Sequence, residues 1–137
     1  TSGFQEEMKR RFKALGEKVC FTGYVPYNEI WKYYKLADVA VLPSIWEEPA
    51  GLTMIEACAA GIPLITTRSG GIPEYIKGDY SILLSKNEDI VDDIKKAIDE
   101  VFYNPELWKD KAKKAQKYVS ENFETVNFYN SFYTKLM

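Results

Sequence analysis

The sequence has no histidine, so it lacks both the usual neutral-pH general base and the commonest zinc ligand. Its two cysteines, Cys20 and Cys58, sit in separate apolar runs without a CxxC or other metal-ligand spacing. They read as buried free thiols in a reducing compartment. No apolar stretch approaches membrane-spanning length, and no signal peptide is visible. An excess of one charge is missing too: 18 Lys and Arg stand against 20 Asp and Glu, for a net charge of −2. With no basic patch, a duplex nucleic-acid partner is not expected, whereas a single nucleotide ligand stays open. Chemistry is left to carboxylates, hydroxyls, backbone groups and Lys or Arg, with no metal and no cofactor expected.

What is present is ordinary globular material, 46% apolar and 28% charged over 137 residues, which fits one domain. A chain of this length buries roughly two thirds of its unfolded surface and needs no disulfide or metal to hold a core. It opens on Thr1 and runs directly into a polar, helix-like segment, so a piece of a longer protein is expected.

Phe4, Met8, Phe12 and Leu15 recur at helical spacing and predict an amphipathic helix ended by Gly16. Val19-Cys20-Phe21-Thr22 predicts a short buried strand, and Asn28 is placed to cap a helix running to Leu36. Further strands are expected at Asp38 to Leu42, at Ile62 to Thr67 and at Ser81 to Leu84, with a helix from Gly51 to Ala60 between the first two. Ser69 to Pro73 reads as a loop. A long helix follows Asn87, and Asn104-Pro105-Glu106 starts another through a cap, a proline and an acid in the first turn. The tail from Thr125 carries Phe128, Tyr129, Phe132, Tyr133 and Leu136, an aromatic stripe that reads as a packing surface. Strands apolar on both faces and separated by helices imply an α/β fold, a Rossmann-like parallel sheet flanked by helices. Ligands of such sheets bind beyond the carboxyl ends of the strands, which selects the loops after Thr22, Leu42 and Thr67.

The loop after Leu42 places Glu47, Glu48 and Glu56 around Gly51, where a helix begins. The first free N–H groups of that helix, on Gly51, Leu52 and Thr53, form a seat for an anion, and glycine allows close approach. Glu56 shares the helix side of Leu52 and Thr53 and leans back toward the N-terminus, where a carboxylate suits a ribose diol. Glu48 lies ahead of the helix, facing whatever is attached on the other side of the phosphate. Acids near a helix start also serve the dipole, typically for a few tenths to about 1 kcal/mol, and Glu47 is assigned to that role or to solvent. Carboxylates on both sides of an anion seat fit a diphosphate with hydroxyl-rich groups at each end.

Four blocks in order then carry a likeness: Val19 to Val25, Ala37 to Ser44, Glu48 to Ala57 with Gly61-Ile62-Pro63, and Gly70-Gly71-Ile72-Pro73-Glu74. Together they resemble the C-terminal, donor-binding domain of the retaining glycosyltransferases of family 4, glycosyl transferases group 1, with GT-B architecture. Two glutamates with seven residues between them and a Gly-Gly-x-x-Glu loop are the hallmark. The resemblance implies that Glu48 contacts the donor sugar near its reacting carbon as the catalytic residue. It implies that the backbone of Ala50, Gly51, Leu52 and Thr53 holds sugar and diphosphate, that Glu56 takes the ribose hydroxyls, and that Tyr24 and Val25 face the base. The reaction implied moves a hexose from a UDP- or GDP-sugar to an acceptor hydroxyl with retention of configuration, in glycan, polysaccharide or glycolipid synthesis. Many members need no metal, in keeping with the absence of an Asp-x-Asp motif.

The chain departs from that pattern in two ways. Ala50 stands where the family often has an aromatic residue, and the upstream Arg and Lys that grip the diphosphate have no counterpart. Residues 1–137 are therefore expected to form a single donor-binding domain, a partial half of a GT-B fold that is inactive alone. The first strands and the N-terminal acceptor domain, which meets the acceptor glycan or lipid-linked sugar, are expected elsewhere. A cytoplasmic protein without a transmembrane segment is expected, peripheral at the inner membrane face at most. A nucleotide-sugar epimerase of the same architecture and a non-catalytic nucleotide-binding module are the alternatives.

Overall fold

Residues 3–123 are described by the structure, a computed structural model. The aromatic stripe of the tail lies outside them. The chain divides into two compact units, Thr1–Ile30 and Trp31–Met137.

In the first unit, Gly3–Phe12 forms α1, whose surface carries ion pairs between Glu6 and Lys9 (3.4 Å) and between Glu7 and Arg11 (2.5 Å). A tighter helical segment, Lys13–Lys18, is broken at Gly16, where φ is +55° and the helix stops as its glycine predicts. The Phe12 and Phe21 rings pack with centroids 6.3 Å apart. Val19-Cys20-Phe21-Thr22 is not a strand, contrary to expectation, and Cys20 is exposed rather than buried. A run of four apolar residues becomes a strand only when a neighbour supplies a ladder, and the sheet among the described residues has no pairing with it. Tyr27–Leu36, α2, whose residues from Trp31 on belong to the second unit, starts just after Pro26, one residue ahead of the expected cap at Asn28.

The second unit is built on a three-stranded parallel sheet. Ala40–Leu42 is β1, Leu52–Ala59 is α3, Leu64–Thr67 is β2, Ile72–Tyr75 is α4 and Ile82–Leu84 is β3. Ile90–Tyr103, α5, and Pro105–Phe123, α6, complete it. The sheet order is β1-β2-β3, with Ala40 opposite Leu64, Leu42 opposite Thr66 and Thr67 opposite Leu84. Pro63 has no N–H for the ladder, and β2 begins at the next residue, while the Pro63 carbonyl accepts from Ala40 N–H at 2.9 Å.

All four residues of β2 are buried, as its apolar run requires of a central strand covered on both faces. Leu64 joins Met54, Ala57 and Cys58 of α3 with Ile72, Tyr75, Ala115 and Val119 on one face. Ile65 joins Ala97, Val101 and Trp108 on the other. Residues expected as a plain loop at Ser69 to Pro73 include the start of α4. Pro73 lies in its first turn, and the Lys77 ammonium donates to the Pro73 carbonyl at 3.0 Å at its end.

Candidate functional site

Because the three strands run parallel, their carboxyl ends share one edge. Ser44 to Gly51, Arg68 to Gly71, and Lys86 therefore leave the sheet together. Three hydroxyls stitch the first two of these loops. Thr66 Oγ1 donates to the Leu42 carbonyl at 2.8 Å, Thr67 Oγ1 to that of Ser44, and Ser69 Oγ to that of Trp46. Thr66, Thr67 and Ser69 are fully buried, so each bond satisfies a hydroxyl that would otherwise lack water.

The stitched loop delivers the chain to the start of α3. Gly51 precedes the helix, and Met54 N–H bonds back to the Gly51 carbonyl at 3.1 Å. Of the three amides expected to form an anion seat, one is already occupied: Gly51 N–H donates to the Tyr75 hydroxyl at 2.5 Å. Among the described residues the N–H groups of Leu52 and Thr53 have no backbone acceptor, so two donors remain open at the positive end of the helix. A Cβ at Gly51 would stand 2.4 Å from Met54 Sδ and 3.0 Å from the Tyr75 hydroxyl, so a larger residue there requires the Met54 side chain to shift. Burial holds the Tyr75 phenol above its ordinary pKa, and the negative charges of Glu48 and Glu74 act in the same sense.

Glu48 is half-buried and gripped through its main chain. Its N–H donates to the Trp46 carbonyl at 2.9 Å, and its carbonyl accepts from Gly71 N–H at 2.8 Å. Gly70, at φ +51°, lies so close that an added Cβ would be 2.4 Å from the Glu48 oxygen and 2.5 Å from its nitrogen. The Gly-Gly pair is thus a requirement of close approach. Glu47, assigned above to solvent or the helix dipole, accepts Gly70 N–H at 2.7 Å and pairs with Lys86. The Lys86 hydrogen bond is the main reason its carboxyl is held below the usual range, with the Gly70 N–H adding to it.

Glu56, half-buried on α3, accepts from Tyr34 of α2 at 3.3 Å, and the same hydroxyl lies 3.3 Å from the Thr53 carbonyl. Tyr34 thereby holds Glu56 beside Thr53, on the side of the helix expected from their spacing. Glu56 also lines an open cavity of about 680 Å³ between α3 and α6, with Ile55, Ala59, Lys113 and Gln116 among its walls. Ala50 and Leu52 are exposed next to the two free amides. Tyr24 and Val25 belong to the first unit, where Tyr24 is 91% exposed and Val25 half-buried. Sequence reasoning missed Tyr75, Tyr34, Ser69 and Lys86. The adjacent hydroxyls of Thr66, Thr67 and Ser69 at a strand end were a legible signal; Tyr75 and Lys86 act across 24 and 39 residues and carried none.

Among the described residues no group of three His, Cys, Asp or Glu side chains is placed to hold a metal, and no helix is long and apolar enough to cross a membrane.

Residues 3–118 match the family model for glycosyl transferases group 1. YtcC of Bacillus subtilis, named as a glycosyltransferase, is 36% identical over 107 residues, covering 78% of this chain and 26% of its own length. Among solved structures, sucrose-phosphate synthase from Thermosynechococcus elongatus superposes with a TM-score of 0.80 at 26% identity, over 96% of this chain and 33% of that one. The C-terminal domain of a group 1 glycosyl transferase, LpcC of Francisella tularensis, gives a TM-score of 0.73 at 25% identity, over 89% of this chain and 63% of that one. The chain thus spans about a quarter of YtcC and a third of the synthase. It belongs to the glycosyl transferases group 1 family, and its parallel sheet flanked by helices is part of the C-terminal half of a GT-B fold.

Proposed function

We propose that these residues form the donor-binding part of a retaining glycosyltransferase that moves a hexose from a UDP- or GDP-sugar to an acceptor hydroxyl. The carrying observation is the pair of open amides, Leu52 and Thr53, at the start of α3 on the sheet's carboxyl edge, with Glu48 ahead of them and Glu56 one turn later. The diphosphate sits on those amides. As the sugar–phosphate bond breaks, the departing oxygen takes the electron pair, and the helix end stabilises the charge that develops on it. The backbone from Ala50 to Thr53 holds sugar and diphosphate, and Glu48 faces the reacting carbon.

Glu56 accepts the ribose hydroxyls. One of its oxygens receives Tyr34, and a carboxylate has about four acceptor positions, so room is left for a diol. The acceptor, a glycan or lipid-linked sugar, is met by an acceptor domain outside these residues, and sugar transfer needs both parts.

Calorimetric titration of the whole protein, and of Glu56→Ala, with UDP, GDP and ADP and their glucose conjugates tests the reading. One nucleotide should bind selectively, and Glu56→Ala should weaken it by about 1.5–3 kcal/mol, the worth of hydrogen bonds to a charged acceptor. Equal binding by the variant removes Glu56 from the site, and no binding by any nucleotide overturns the proposal.

A further inference from the structure

Glu47 has a side chain that is 74% exposed, yet both of its oxygens are engaged. Oε2 accepts Gly70 N–H at 2.7 Å, and Oε1 accepts the Lys86 ammonium. Lys86 Nζ also lies 3.3 Å from Ser69 Oγ, whose hydroxyl donates to the Trp46 carbonyl. An exposed ion pair alone contributes little. This one differs in that the carboxylate also takes a backbone donor, and the cluster ties together the loops that follow β1, β2 and β3.

Glu48 is at the centre of those ties. Gly71 N–H reaches its carbonyl at 2.8 Å, and the approach of Gly70 leaves no space for even a methyl group against its backbone. A shift of Gly70 carries Gly71 with it, and the Gly71 N–H bond to the Glu48 carbonyl transmits that shift to Glu48.

We infer that Glu47 and Lys86 form a tether that holds the Gly70-Gly71 backbone against Glu48 and so aims the Glu48 carboxylate. Both are positioning residues, acting through Gly70 rather than on substrate. The catalytic half of this inference rests on the proposed role of Glu48 at the donor sugar.

Selective ¹⁵N-glycine labelling of the whole protein reads the Gly70 and Gly71 amides, and steady-state kinetics read the chemistry. Glu47→Ala removes the Gly70 acceptor directly but leaves the Gly71 bond to Glu48 formally intact. Hydrogen exchange should speed up tenfold or more at both amides, and kcat should fall tenfold or more with the donor KM within threefold. Glu47→Gln keeps one oxygen for Gly70 but turns its amide nitrogen toward the Lys86 ammonium, so it should recover only part of the protection, and Lys86→Arg should restore what Lys86→Ala loses. These conservative variants separate the tether from simple misfolding. Unchanged exchange at Gly71 in Glu47→Ala overturns the tether, and so does a raised KM at constant kcat. A wild-type protein without transfer activity overturns the donor-site reading instead, and the Gly71 amide then decides the tether by itself.

Discussion

The hydroxyl of Tyr75 accepts a hydrogen bond from the backbone nitrogen of Gly51 at 2.5 Å, joining α4 to the residue that opens α3. The bond satisfies one of the four unpaired amides at a helix start with a protein group, in a place where water has little access. It also fixes the angle at which the glutamate-bearing loop enters the helix.

Tyr75→Phe removes that acceptor and keeps the ring. The expected cost is about 1–3 kcal/mol of unfolding free energy, that of leaving the buried Gly51 donor without a partner. Urea denaturation measures it, and an unchanged midpoint would show that the Gly51 amide finds water instead. The open donors of Leu52 and Thr53 are untouched, so nucleotide binding should survive the change.

The hydroxyl stitches give a second expectation. Thr67→Val preserves shape and β-branching while removing the donor that the Ser44 carbonyl receives at a fully buried position. The orphaned carbonyl should cost about 1–3 kcal/mol. Thermal unfolding of Thr67→Val beside an exposed control such as Thr22→Val separates this from a general loss of threonine; equal shifts would dismiss the stitch.

Much of the fold was legible because burial leaves a mark on sequence. The runs at Asp38 to Leu42 and Ile62 to Thr67 read as strands because they are dominated by aliphatic and β-branched residues, and side chains of both pack on each side of the sheet. The start of α3 at Gly51 and of α6 at Pro105 follow from backbone geometry that glycine and proline announce. Val19 to Thr22 misled because strand formation depends on a partner, and four residues carry no information on whether one is paired with them. The placement of Glu56 beside Thr53 followed from helical spacing alone. The engagement of Glu47 did not, because Lys86 and Gly70 reach it through the folded sheet edge.

The two thiols should differ sharply in reactivity. Cys20 is exposed, whereas Cys58 is fully buried in the core between α3 and its neighbours, and burial pushes its thiol up to about 11 from 9.0. A pulse of N-ethylmaleimide at pH 8 followed by peptide mass spectrometry should label Cys20 quickly and Cys58 only under unfolding conditions; equal rates would contradict the buried placement. The same shift has a definite sign in stability. The folded chain holds the Cys58 proton to higher pH than the unfolded chain does, so its contribution is complete below about pH 9.0 and is lost as pH rises toward about 11. The slope in that window is about 1.4 kcal/mol per pH unit when one proton is at stake. Cys58→Ala should remove that slope between about pH 9 and pH 10, below the range in which the Tyr75 and Tyr80 phenols, also held up by burial, add their own, while itself lowering stability at neutral pH, because it leaves a small void in a close-packed core. Urea denaturation of both proteins from pH 8 to pH 11 checks it, and parallel curves would show that another group governs the alkaline limb.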